Sequence, residues 1–150
     1  MSASAVTILD ALDDEHLFAP MFPGPSWRRW RSFLAGLFCL PMDEAALEVY
    51  RHHTGRSERP VRPFREAAVI CGRRGGKSRV LALIAVYLAT FQDYRAFLAP
   101  GEQPIVAIIA ADRRQARICL RYIIGLLREV PLLAPLIAEE RSESVELISA

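Results

Sequence analysis

An apolar run, a glycine-rich turn and a helix-forming stretch follow one another between residues 67 and 91. This succession narrows the fold more than any other part of the chain. Ala67-Ala68-Val69-Ile70-Cys71 is short, apolar and bounded by turn residues, the pattern of a buried parallel strand. The turn reads Gly72-Arg73-Arg74-Gly75-Gly76-Lys77-Ser78, and a helix is predicted from about Ser78 to Phe91. The second half of the phosphate-loop pattern G-x-x-x-x-G-K-[ST] is intact as Gly76-Lys77-Ser78. The leading glycine is replaced by Cys71, with glycine one place later at Gly72.

The residue types suit phosphate chemistry. Phosphate oxygens need several donors at close range, and backbone N–H groups reach them only where no Cβ intrudes, hence Gly72, Gly75 and Gly76. A helix opening directly after the turn points its unpaired first N–H groups at the anion. Lys77 is then expected to reach the β- and γ-phosphates of ATP, and the Ser78 hydroxyl to bind Mg²⁺.

The rest of the chain extends the alternation. Asp93 to Gln103 is a polar loop, Ile105 to Ala111 a second apolar strand, and Arg113 to Glu129 a helix with Ala116, Leu120, Ile123 and Leu127 inward. Pro131 and Pro135 break that helix, and Val145 to Ile148 reads as the start of a third strand. Residues 67–150 are therefore expected to form part of an α/β fold with a parallel P-loop sheet, its ligand at the carboxyl ends of the strands. Residues 1–66 read as a helical lead-in. Ser26 is expected to cap a helix over Trp27–Phe38 that Pro41 ends. Asp43 is expected to cap a second helix to about His53, stopped at Thr54-Gly55. An arginine-rich connector, Gly55 to Arg65, follows.

Composition sets limits on these readings. With 150 residues, 52% hydrophobic and 24% charged, the chain can bury a core and is not disordered. A net charge of +2 is too small to imply nucleic-acid binding by itself. Met1 to Asp14 lack a secretory pattern, and Val80 to Phe91 is too short to span a bilayer, so a soluble cytoplasmic protein without membrane contact is expected. Cys39, Cys71 and Cys119 are far apart and read as small hydrophobes in a reducing compartment. Neighbouring His52 and His53 point about 100° apart on a helix and do not converge on one ion.

The turn also carries a resemblance. Gly72-Arg73-Arg74-Gly75-Gly76-Lys77-Ser78 resembles the x-R-x-x-G-K-[ST] variant of viral terminase large subunits, with Arg73 where that family has its characteristic arginine. Ile105 to Asp112 with Arg113-Arg114-Gln115-Ala116 is similar to the second strand and helix of the terminase motor. Ser26 to Leu34, Tyr50-Arg51 and Thr54-Gly55-Arg56 are similar to the segment before the phosphate loop, where the family places its adenine-side contacts. The resemblance spans about residues 18–150. It implies ATP-driven translocation of double-stranded DNA, with a portal ring and a small terminase subunit as partners, and a role for Arg73 at the γ-phosphate. It also implies that the Walker B acids and the nuclease residues lie outside this chain, which then corresponds to the front part of the ATPase domain. Another P-loop ATPase such as a helicase, a nucleotide-binding module without catalysis, and a prophage remnant are the alternatives.

Three further features have two readings each. Asp112 ends an apolar run and could hold Mg²⁺, but Arg113 stands where a base would be, and an aspartate before a helix caps it by default. Trp27-Arg28-Arg29-Trp30-Arg31 is either a nucleic-acid patch or an amphipathic helix with a solvated arginine face. Arg113, Arg117 and Arg121 form a basic stripe, either solvated or touching DNA.

Overall fold

The computed structural model describes residues 6–148. The outermost residues of the expected regions, 1–5 and 149–150, lie outside that range. Within it the chain divides into two compact units, one ending at Gly72 and one beginning at Arg73. The division falls inside the glycine-rich turn. Helices dominate both units, and a small two-stranded antiparallel sheet makes the fold mixed α and β.

The first unit contains α1 (Ile8–Asp13), α2 (Arg28–Leu37) and α3 (Glu44–Thr54). A reciprocal capping box starts α1. The Asp10 N–H donates to the Thr7 hydroxyl at 3.1 Å, and the Thr7 N–H donates to the Asp10 carboxylate at 2.9 Å. Hydrogen bonding from Thr7 holds the Asp10 carboxyl below its ordinary range. Ser26 does not cap α2. It sits in a 3₁₀ turn over Pro25–Trp27, and the helix follows that turn without a side-chain cap. Pro41 does not end α2 either. The chain turns earlier, with Cys39 in the left-handed region at φ 55°, the Leu40 N–H donating to the Ala35 carbonyl at 2.8 Å and the Cys39 N–H to Gly36 at 3.3 Å. This is a Schellman closure in which cysteine occupies the usual glycine place. Asp43 caps α3 as expected, accepting from the Ala46 N–H at 2.7 Å, and Gly55 closes it at φ 68°. Ala35, Met42, Leu47 and Tyr50 form the core between α2 and α3.

The second unit pairs α4 (Lys77–Phe91) with α5 (Arg113–Glu129). Val80, Leu83 and Val86 of α4 and Ile123, Ile124 and Leu127 of α5 are buried, with Val130 and Leu133 completing the core. β1 (Ile137–Glu140) and β2 (Val145–Leu147) follow. Val145 therefore does not begin a parallel strand. It faces Glu140 in an antiparallel hairpin. That register sets Glu139 opposite Glu146, a like-charge pair that disfavours the ladder. Arg141 compensates by binding the Glu139 carboxylate and lying 3.9 Å from that of Glu146.

The runs expected as parallel strands behave differently. Neither 67–71 nor 105–111 takes part in strand pairing among the described residues, and most of their side chains are exposed. Ile105 is 86% and Ile109 93% accessible, and Ile70 is fully so. A parallel strand draws its hydrogen bonds from neighbouring strands and its burial from helices on both faces. The described residues supply neither to these runs.

Candidate functional site

The glycine-rich turn delivers the chain directly into α4. Arg74 lies in the left-handed region at φ 61° and Gly76 at φ 85°. At Gly76 this conformation explains the glycine, since a Cβ there would be strained. Its carbonyl accepts the first helical hydrogen bonds, from the Arg79 N–H at 3.0 Å and the Val80 N–H at 3.1 Å. No side chain caps α4, and its first turn carries no acid. This differs from α3 and α5, each of which begins on an aspartate cap. With Arg79 and Val80 donating to Gly76, helix geometry leaves the N–H groups of Lys77 and Ser78 without a partner inside the helix. The opening of α4 therefore presents donors and positive potential that no side-chain cap occupies.

Each expected site residue has a definite place. Gly72 closes the first unit with open space around its Cα. Arg73, Arg74 and Gly75 form the exposed part of the turn, Gly76 is half-buried, Lys77 is exposed as the first helical residue, and Ser78 is half-buried beside it. Among the described residues Arg73, Arg74 and Lys77 enter no ion pair. Three unneutralised cations thus sit within five consecutive residues.

The acids that could complete a catalytic centre are occupied elsewhere. Asp112 caps α5, accepting from the Gln115 N–H at 2.8 Å. Glu140 pairs with Arg128 at 2.5 Å. Glu139 is bound in two-pronged fashion by Arg141, which holds its carboxyl below the ordinary range. Among the described residues no three His, Cys, Asp or Glu side chains gather to hold a metal ion, and no helix is long and apolar enough to cross a membrane.

No protein-family model, curated protein or solved structure matches this chain.

The basic features are also partly used internally. Arg113 and Arg117 both face Glu143, at 3.8 and 3.0 Å, so two members of the stripe are paired. Trp27 meets Phe22 edge-on at 4.8 Å and Trp30 meets Phe33 at 5.7 Å, while Arg31 binds Asp13 at 2.5 Å. This is the amphipathic-helix arrangement, with the rings engaged in packing. His52 and His53 are exposed and meet each other edge-on. The three cysteines are half-buried and unlinked. The sequence reading missed a cavity enclosed by the arginine-rich connector. The available signal was an arginine at every third position, Arg56, Arg59, Arg62 and Arg65.

Proposed function

We propose that residues 72–78 are a phosphate loop binding ATP with Mg²⁺, and that the chain is the nucleotide-binding portion of a viral DNA-packaging motor. The observation that carries the binding claim is the uncapped opening of α4. Gly76 is left-handed there, Lys77 is unpaired and Ser78 is adjacent. Backbone donors, a point cation and a hydroxyl are the groups a triphosphate needs. Mg²⁺ binds mainly through phosphates and water, so the Ser78 hydroxyl would serve as its protein ligand, and the ion would neutralise phosphate charge. Arg73 is assigned to the γ-phosphate and Arg74 to shaping the turn.

In this reading double-stranded DNA, a portal ring and a small terminase subunit are the corresponding partners. The commitment of Asp112, Glu139 and Glu140 to capping and ion pairs favours a narrower statement for the chain alone. It binds nucleotide without turning it over. Phosphoryl transfer needs an acid for the metal and a group that orients water. Gripping phosphates alike in substrate and product does not raise turnover.

The test is titration of a fluorescent ATP analogue. Loss of a charge-assisted contact is worth about 1.5–3 kcal/mol, so Lys77→Ala is expected to weaken binding roughly ten- to a hundredfold. Equal affinities would remove the claim. Phosphate release near one turnover per second, abolished by Lys77→Ala, would overturn the non-catalytic reading.

A further inference from the structure

Residues 55–65 curl around a cavity of about 1000 Å³ within the first unit, and Tyr50 of α3 completes its wall. The segment is held at three points. The Arg51 guanidinium donates to the Ser57 carbonyl at 2.8 Å, the Cys39 thiol to the Pro60 carbonyl at 3.1 Å, and the Phe64 N–H to the Leu37 carbonyl at 2.9 Å. The cavity is therefore built into the α2–α3 pair.

Its lining is strongly cationic. Arg56, Arg59, Arg62 and Arg65 all contribute, and Glu58 is the only acid among the lining residues. None of the four arginines forms an ion pair among the described residues; Arg56 instead lies over the Phe64 ring, 5.1 Å from its centre. Four guanidinium groups around one concavity repel one another unless an anion joins them. Planar guanidinium forks match phosphate oxygens.

Tyr50 anchors the cavity wall. The residue is only 5% exposed, and its hydroxyl is buried without a hydrogen-bond partner. Its ring is fixed against Gly36, where a Cβ would lie 2.9 Å from the ring edge. Tyr50 thus fixes the cavity wall to the α2–α3 core.

We propose that this cavity binds a phosphate-bearing polyanion, with Arg59 and Arg62 as the principal contacts. The site is separate from the phosphate loop and does not depend on the reading given to it. A volume of about 1000 Å³ admits several phosphate groups. Free polyphosphate and the phosphodiester backbone of a single-stranded nucleic acid share that chemistry.

The experiment is calorimetric titration of the full chain carrying Lys77→Ala with inorganic tripolyphosphate. Binding is expected to persist in this background. Adding Arg59→Ala or Arg62→Ala is expected to weaken it at least tenfold. Both arginines are exposed, so an unchanged melting temperature of these variants separates lost binding from lost folding. Arg29→Ala, at an exposed arginine on α2, is the charge-matched control. Absence of binding, or equal weakening by Arg29→Ala and Arg59→Ala, overturns the proposal. A single-stranded octanucleotide added in competition then identifies the source. Displacement assigns the site to a nucleic-acid backbone, and persistence assigns it to a free anion.

Discussion

Helix α5 and the run Ile105–Ala111 that leads into it are neighbours in sequence and opposites in structure. α5 spans Arg113–Glu129, begins on its own Asp112 cap, and buries one face against α4. The run before it is more apolar, yet Ile105 and Ile109 lie open to solvent. The difference is where each element finds its hydrogen bonds. A helix closes its bonds within a few residues, so an amphipathic stretch needs only one apolar partner surface. A strand finds its bonds on another strand, so apolar composition alone cannot bury it. Hydrophobicity sets what a segment can bury, and pairing decides whether it does.

The contrast is open to direct attack. The largest effect is expected at Leu83, fully buried on α4. Leu83→Ala is expected to destabilise by about 2–5 kcal/mol, measured by urea unfolding. Ile109→Ala, by comparison, is expected to stay within about 0.5 kcal/mol. Comparable losses at the two positions would show that the run is packed and would end the comparison. An intermediate effect is expected at Asp112. Its role as the cap of α5 predicts a loss of about 0.5–2 kcal/mol for Asp112→Ala, with Asp112→Asn largely retaining stability. A loss for the asparagine variant as large as for alanine would point to a need for the charge.

The smallest effect concerns the loop between the two helices. Arg95 hydrogen-bonds the Asp93 carboxylate and pulls its pKa down to about 2 from an ordinary 3.8. The folded-state value is the lower one, so the contribution to stability is present above about pH 4 and fades as pH falls towards 2. Both side chains are exposed, so a slight slope is expected. Carboxyl-detected NMR titration checks it, and an Asp93 midpoint at the ordinary value would remove the pair.

Legibility in the sequence follows the same division. α3, α4 and α5 were readable to within about a residue because their caps and stops are local: Asp43 and Gly55, the glycine-rich turn, Asp112 and Pro131. α1 was missed although Thr7 and Asp10 carry its capping-box signature, because six residues show too little periodicity to stand out. α2 was also placed to within a residue, but its stop was assigned to Pro41, because a left-handed cysteine is a rare substitute for glycine. The β1–β2 hairpin was read as a lone strand because Ile137–Glu140 looks polar, and its partner is chosen by pairing rather than by composition. At the candidate site, the glycine-rich turn and the start of α4 were legible because both are local. The cavity beside Tyr50 left only the arginine spacing as a trace, since its shape depends on three tertiary contacts, to Leu37, Cys39 and Arg51.

Arg74 gives the glycine-rich turn a property that its glycines lack. A non-glycine residue at φ 61° carries a conformational cost of order 1–2 kcal/mol. Glycine at this position would relieve that cost, but it would also give the turn many more shapes to explore. The arginine therefore works as a stiffener, trading some stability for a narrower ensemble. For any anion that seats in the turn, less disorder is surrendered on arrival. On that account Arg74→Gly would yield a chain that is no less stable but a slower, looser host, a cost in readiness rather than in contacts.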